Sequence, residues 1–307
     1  MCGQLSGVLV LDKPAGISSA RAVARVKGLL GAKKIGHTGT LDPFATGVLI
    51  CCTNQATRIS RFLLQGEKTY QAVMRLGIET DTQDATGQVT RRKPVPDMQT
   101  EQVRRIIKGF VGRQMQAPPV YAALKHEGKP LYRLARQGKP VQKPARRITV
   151  ASIDVKAVAL PDIHFEVTCS SGTYVRTLCA DMGRAAGCGG HLRSLRRTAN
   201  SGFGIDQAHT LPGLKTLDAS RRQAQTLIPM AAALERMPTF IASGALLELV
   251  AHGRQLSHEQ IPAALIQETG DKLLADHVKV LDAELNIKAV LKIPPHGGVY
   301  DYCCVFN

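Results

Sequence analysis

Hydrophobic and polar positions alternate in two ways along this chain, and each implies a different environment. Gly7-Val-Leu-Val-Leu11 is an unbroken apolar run that predicts a buried strand, and Gly47 to Thr53 predicts another strand. Thr69 to Leu76 instead alternates apolar with polar as a strand, and Ile148 to Val158 and Ile163 to Cys169 read as a strand pair joined through Pro161-Asp162. Helical spacing marks Val23, Val26, Leu29 and Leu30, with Ser18 or Ser19 as the cap and Gly31 as the stop. Further helices are predicted over Ala56 to Leu64, Thr100 to Phe110, Leu131 to Gln137, Thr173 to Ala186 and Ser220 to Leu234, the last interrupted near Pro229. Lys33 to Thr46 and Asp81 to Gly87 read as polar loops, and Gln116 to Lys129 as a basic loop with prolines. This irregular succession predicts an α+β fold rather than repeated βαβ units. Near Met237-Pro238 the pattern changes to short apolar runs between turns, so a boundary is expected at about residue 235, with a small β-rich module over 236–307.

Composition narrows the class. The 307 residues, 44% hydrophobic and 21% charged, suit a globular protein with a sizeable core. No stretch reaches the roughly 18–20 apolar residues of a membrane span, and the first apolar run is too short for a signal-peptide core. The eight cysteines include no C-x-x-C pair, so a structural zinc site has no support; they read as small buried hydrophobes in a reducing compartment, which places the chain in the cytoplasm.

The net charge of +16 is localised. Residues 1–150 hold 25 basic and 9 acidic side chains, whereas 151–307 hold 15 of each. Within 91–147 there are 15 basic and 3 acidic residues, with Tyr121 and Tyr132 interleaved. An excess this one-sided repels itself unless a polyanion compensates it, which points to nucleic acid.

The candidate chemistry centres on Gly36-His-Thr-Gly-Thr-Leu-Asp-Pro-Phe-Ala-Thr-Gly47, where glycines and threonines surround one carboxylate, Asp42. Pro43 biases Asp42 to an extended backbone, with its side chain projecting outward. Two further stretches stand out: Glu67-Lys-Thr-Tyr-Gln-Ala72, with Tyr70 on a strand, and Ser170-Ser-Gly-Thr-Tyr-Val-Arg-Thr177 at a helix start. Taken singly, each is an ordinary turn, packing tyrosine or cap.

Taken in order, they resemble the bacterial tRNA pseudouridine-55 synthase family, the TruB type. The resemblance extends over Val8 to Gly16, the 36–47 loop, Lys68-Thr-Tyr70 with Arg75-Leu-Gly77, Pro118 to Gly138, Cys169 to Arg176 and Leu195-Arg-Arg197. It implies a catalytic domain over 1–235 with a mixed, largely antiparallel central sheet and flanking helices, and a PUA-like β-barrel over 236–307. The implied reaction is isomerisation of the T-loop uridine of tRNA, with no cofactor and no metal. Asp42 matches the catalytic carboxylate, attacking C1′ or C6 or assisting a glycal intermediate, and Arg176 its ion-pair partner. Tyr70 matches the ring stacked on the flipped uracil, its hydroxyl a candidate acceptor of the C5 proton. Tyr174 and Leu195 match the lining of the uracil pocket, and His37 the residue that enters the vacated stack. The basic insertion over 116–147 is expected to grip the T-arm through Lys125, Arg133, Arg136, Arg146 and Arg147. A monomer that needs no protein partner is implied, as against an RNA-guided pseudouridylase or a tRNA-folding module without catalysis. Ser171 departs from the family, which frequently has lysine there, and Ala251 to Leu256 only weakly echoes the PUA module.

Overall fold

The computed structural model describes residues 5–262, 265–267, 274–295 and 298–306. Its first strands are β1 (Gly7–Lys13), β2 (Ile35–Thr38), β3 (Thr46–Thr53) and β4 (Lys68–Leu76). A side ribbon, β5 (Ile78–Thr80) with β6 (Val89–Arg92), follows, then β7 (Gly112–Gln116) and a small hairpin, β8 (Lys125–His126) with β9 (Lys129–Pro130). The long strands β10 (Arg146–Ala159), β11 (Asp162–Cys169) and β12 (Gly190–Asn200) complete the main sheet. Two-residue pairings, β13 (Phe203–Gly204), β14 (His209–Thr210) and β15 (Ile228–Pro229), join it last. Along its path the order is β14-β1-β3-β12-β4-β11-β10-β7, parallel at β14–β1 and β3–β12 and otherwise antiparallel. The molecule is an α+β protein built on one large mixed sheet.

The strands expected from these patterns form, and the surrounding core sets how many of their faces are covered. On β1 and β3, Leu9, Leu11, Leu49 and Cys51 pack under α1 (Ser19–Leu30), while Val8, Val10, Val48, Ile50 and Cys52 face the opposite core. On β4 and β11 one face packs against α3 (Thr100–Lys108) and α5 (Val175–Ala185), leaving Gln71 and His164 exposed on the other. Between α1 and α3 lies the short α2 (Ser60–Leu64), and α4 (Leu131–Arg136) lies within the basic segment.

Three elements differ from expectation. The 33–46 segment contains β2, which pairs Ile35–Thr38 with Thr53–Ile50 of β3. The helix expected over Ala56 to Leu64 is a 3₁₀ turn, Asn54–Arg58, followed by α2. The Ser220–Leu234 helix is interrupted at Pro229 as expected: Arg222–Thr226 and Met230–Ala233 flank β15, because Pro229 supplies no N–H to continue the first. The third difference is β12, central in the sheet, which was not foreseen as a strand: Arg193, Ser194, Arg196, Arg197 and Thr198 hide its period.

Beyond residue 236, β16 (Thr239–Ile241), β17 (Leu256–Ser257), β18 (His277–Leu281), β19 (Ile287–Lys292) and β20 (Val299–Val305) form a separate five-stranded sheet in the order β16-β18-β19-β20-β17. It curls around Phe240, Val250, Leu256, Val278, Val280 and Leu291, a shape compatible with a PUA-like barrel. Its other face, with Leu281, Ile287, Val290, Cys304 and Phe306, shares one core with Val8, Val10, Val48 and Ile50. All seven cysteines among the described residues are free, and six are buried; Cys2 lies outside the described residues.

Candidate active site

The loop between β2 and β3 is fastened by side chains from three directions. Ser18 caps α1, as its spacing allows, by accepting from the Arg21 N–H at 3.2 Å. Ser19 turns inward instead: its Oγ donates to the Leu41 carbonyl at 2.9 Å and accepts from the Leu41 N–H at 2.8 Å. Lys13 Nζ donates to the carbonyls of Pro14, Ile17 and Pro43. From β12, Arg197 donates to Gly39 O at 2.9 Å and Asn200 to Thr38 O at 3.2 Å. Gly47 lets β3 lie against β12: its φ is +102°, and a Cβ there would stand 2.1 Å from the Arg197 carbonyl oxygen. These anchors set the direction of Asp42 before any substrate arrives.

Asp42 meets Arg176 from the start of α5. Arg176 Nε lies 2.9 Å from Asp42 Oδ2, and Nη2 donates to Oδ1 at 3.4 Å. The same guanidinium stands 3.5 Å from Asp84 Oδ2 and donates to Thr82 O and Tyr121 O. Arg176 is therefore clamped between two carboxylates, with only 5% of its side chain exposed. Asp84 accepts hydrogen bonds from the hydroxyls of Thr82 and Thr86 and from the Thr86 N–H. Nothing in the Asp81–Gly87 loop distinguished Asp84 from a turn residue. A third of the Asp42 side chain, 33%, faces the cleft. Desolvation by the surrounding walls pushes its carboxyl above the ordinary value, nearby Asp84 adds to the rise, and Arg176 and Lys13 oppose it.

Two openings meet at this pair. One, of about 620 Å³, is lined by His37, Asp42, Tyr70, Tyr174, Arg176 and Leu195, together with Lys68, Arg146 and Arg197. The other, of about 730 Å³, shares His37, Asp42 and Arg176 and runs between Ser18, Asp84, Tyr121, Tyr132 and Arg136. Tyr70 is buried in the wall of the first opening. His37 Nδ1 is buried without a hydrogen-bond partner, and burial followed by the Arg197 charge lowers the imidazole pKa. Gln116 holds Tyr174 by accepting from its N–H at 2.8 Å and donating to its carbonyl at 3.1 Å.

Of the basic residues named from sequence, Lys125, Arg133, Arg136 and Arg147 are exposed. Arg136 reaches the second opening, whereas Arg147 lies on β10 beside the edge strand β7. Arg146 is placed differently: it donates to the Gly172 carbonyl, lies 5.2 Å from the Tyr174 ring centroid and forms part of the first cleft. Sequence reasoning did not single out Lys13, Lys68 or the side chain of Arg197, because an isolated lysine or arginine gives no sign of burial. Lys13 is fully buried, Lys68 5% exposed and Arg197 1% exposed. Burial lowers both lysines to about 8.

The family model for the N-terminal domain of TruB family pseudouridylate synthases matches residues 27–175, and that for the tRNA pseudouridylate synthase B C-terminal domain matches 176–236. The tRNA pseudouridine synthase B of Burkholderia mallei (strain NCTC 10247) is 43% identical over 288 residues, 94% of this chain and 93% of that protein. The chain belongs to the TruB family of pseudouridylate synthases. It is thus an isomerase that makes pseudouridine. Another TruB relative, the tRNA pseudouridine synthase B of Ralstonia nicotianae (strain ATCC BAA-1114 / GMI1000), is 50% identical over 236 residues, 76% of this chain and 74% of that protein. The TruB fold is also matched by a crystal structure of a Cbf5–Nop10–Gar1 complex, with a TM-score of 0.74 and 27% identity over 98% of this chain and 85% of that one. The archaeal box H/ACA Nop10–Cbf5 complex matches with a TM-score of 0.71 and 27% identity, over 98% of this chain and 86% of that one. Among the described residues, no helix is long and apolar enough to cross a membrane.

Proposed function

We propose that this pseudouridine synthase acts on tRNA and isomerises the T-loop uridine, position 55. The observation that carries the reading is the Asp42–Arg176 pair, 2.9 Å apart, set at the junction of two openings beside the buried Tyr70. The reaction breaks N1–C1′, turns the uracil and joins C5 to C1′, so N1 gains a proton and C5 loses one. Attack by Asp42 on C1′ or C6 and Asp42-assisted glycal formation share one requirement, an ionised oxygen against the nucleoside. Arg176 keeps Asp42 charged in a walled site that would otherwise favour its protonation. The planar fork matters, because one guanidinium serves Asp42 and Asp84 together.

Extruding a base costs a few kcal/mol, and a stack on the Tyr70 ring, worth about 1–3 kcal/mol, offsets much of it. The Tyr70 phenol oxygen, having given up its own proton, is the assigned acceptor of the C5 proton. Tyr174 and Leu195 form the walls around the base, and His37, held neutral by its surroundings, fills the vacated stack at little desolvation cost. Lys125, Arg133, Arg136, Arg146 and Arg147 bind the T-arm backbone, with Arg146 at the phosphates nearest the cleft. The catalytic domain spans 1–235 and the PUA-like module 236–307, and the protein works as a cytoplasmic monomer without a guide or partner.

The test is mass-spectrometric mapping of pseudouridine in an unmodified tRNA transcript, and in a T-arm hairpin, treated with the purified protein alone. One pseudouridine at position 55 is expected, and none with Asp42→Asn. Conversion only when a guide RNA is added, or binding and refolding of tRNA without conversion, overturns the reading.

A further inference from the structure

Among the described residues, the wall of the cleft contains a cation that no carboxylate neutralises. Arg197 on β12 is 1% exposed, and among the described residues no acidic side chain lies within ion-pairing distance of it. Its Nε donates to Val48 O at 2.7 Å and its Nη2 to Gly39 O at 2.9 Å, so it ties β3 to the loop that carries Asp42. In the sheet register Arg197 stands directly opposite Tyr70 of β4. Opposed side chains on one face are immediate neighbours, and here the guanidinium carbon is 6.0 Å from the Tyr70 ring centroid. Both residues line the same cleft. A buried guanidinium without a counter-ion is costly, and an apolar side chain of similar length would avoid that cost. Carbonyl contacts alone give no reason for a full charge in this position.

We propose that Arg197 is a positioning residue for Tyr70: it fixes the ring against the Asp42 loop and supplies the positive charge that orients the phenol oxygen and lets it carry negative charge beside the substrate base. The inference rests on the function proposed above only where a base is placed against Tyr70; the Arg197–Tyr70 relation belongs to the free protein. Burial raises the Tyr70 phenol, Arg197 opposes that rise, and Cys169 of β11 and Asp42 of the loop add to it. Lys68, two residues away on β4, directs its ammonium to the carbonyls of Leu64 and Gly66 instead.

The experiment replaces the six tyrosines with 3-fluorotyrosine, whose phenol is more acidic, and follows the ¹⁹F resonance of residue 70, assigned by its loss in Tyr70→Phe. In Arg197→Met the phenol midpoint is expected to rise by about one pH unit or more. Single-turnover pseudouridine formation is expected to slow by about ten- to a hundredfold, with tRNA affinity unchanged. Arg197→Lys, which keeps the charge but loses the fork, is expected to fall between the two and remains readable if the methionine variant does not fold. A folded variant whose residue 70 titrates as in the parent protein overturns the proposal, as does a wild-type rate in Arg197→Lys. The titration needs no RNA, so it stands or falls separately from the assignment of tRNA as substrate.

Discussion

The proposed reaction needs Asp42 charged, yet its surroundings favour the neutral acid. The consequence for stability has a definite sign. A carboxyl whose folded pKa is raised stabilises the fold while protonated, below its ordinary value near 3.8, and that contribution is lost as pH rises through the folded value. Asp42→Asn is therefore expected to be more stable than the parent at pH 7–8, with the difference shrinking on acidification towards the ordinary carboxylate range. Thermal melts of both proteins across that pH range measure it, and equal melting temperatures at pH 8 would refute it. The same displacement predicts that single-turnover activity falls off on the acid side at a higher pH than an unperturbed aspartate would give. At this scale the sequence was informative about Asp42, Tyr70 and Arg176, which lie in ordered motifs. It was silent about Asp84, Lys13 and Lys68, because an aspartate in a turn or a lysine beside a strand looks the same whether buried or solvated.

At the scale of elements, the site depends on β12 passing between β3 and β4. The close approach is possible because Gly47 has no side chain, and its left-handed backbone adds a second reason for glycine. Gly47→Ala is expected to cost at least about 3 kcal/mol, the upper end of single-substitution effects, read as a shift of the urea midpoint. A neutral result would mean that β3 and β12 can separate without loss. The strands β1, β3, β4, β10 and β11 were legible because their apolar runs and alternation carry a strand's period. β12 was not: its buried positions include His191, Arg197 and Asn200, whose burial depends on carbonyls supplied by other elements. Short elements such as β2 and β15 are likewise decided by partners, since so few residues carry no period of their own.

Over the whole molecule, the charge asymmetry and the shared core lead to two expectations. Replacing Lys125, Arg133 and Arg136 together with glutamine is expected to weaken tRNA binding and to flatten the salt dependence. Each lost phosphate contact should lower the slope of log K against log salt by about 0.7–0.9. An unchanged slope would remove the 116–147 segment from the RNA interface. Truncation after residue 235 would uncover Val8, Val10, Val48 and Ile50 by removing Leu281, Ile287, Val290 and Phe306. The shortened chain is expected to melt lower and to aggregate, measured by thermal scan and light scattering. A truncated protein as stable as the full chain would show that the C-terminal sheet contributes nothing to this core.

The sequence by itself determined what depends on local period and ordered motifs: the α+β class, the longer strands, the concentration of positive charge in the first half, and the loop, tyrosine and arginine motifs shared with the family. Only the tertiary structure decided which polar groups are buried and what satisfies them. The fork of Arg176 between two aspartates, the anchoring of the Asp42 loop by Ser19, Lys13 and Arg197, and the register of Arg197 against Tyr70 all join residues far apart in the chain. The physical reason is that a charge or hydrogen-bond donor acquires its energy from the groups around it, and those are supplied by elements that sequence periodicity does not pair.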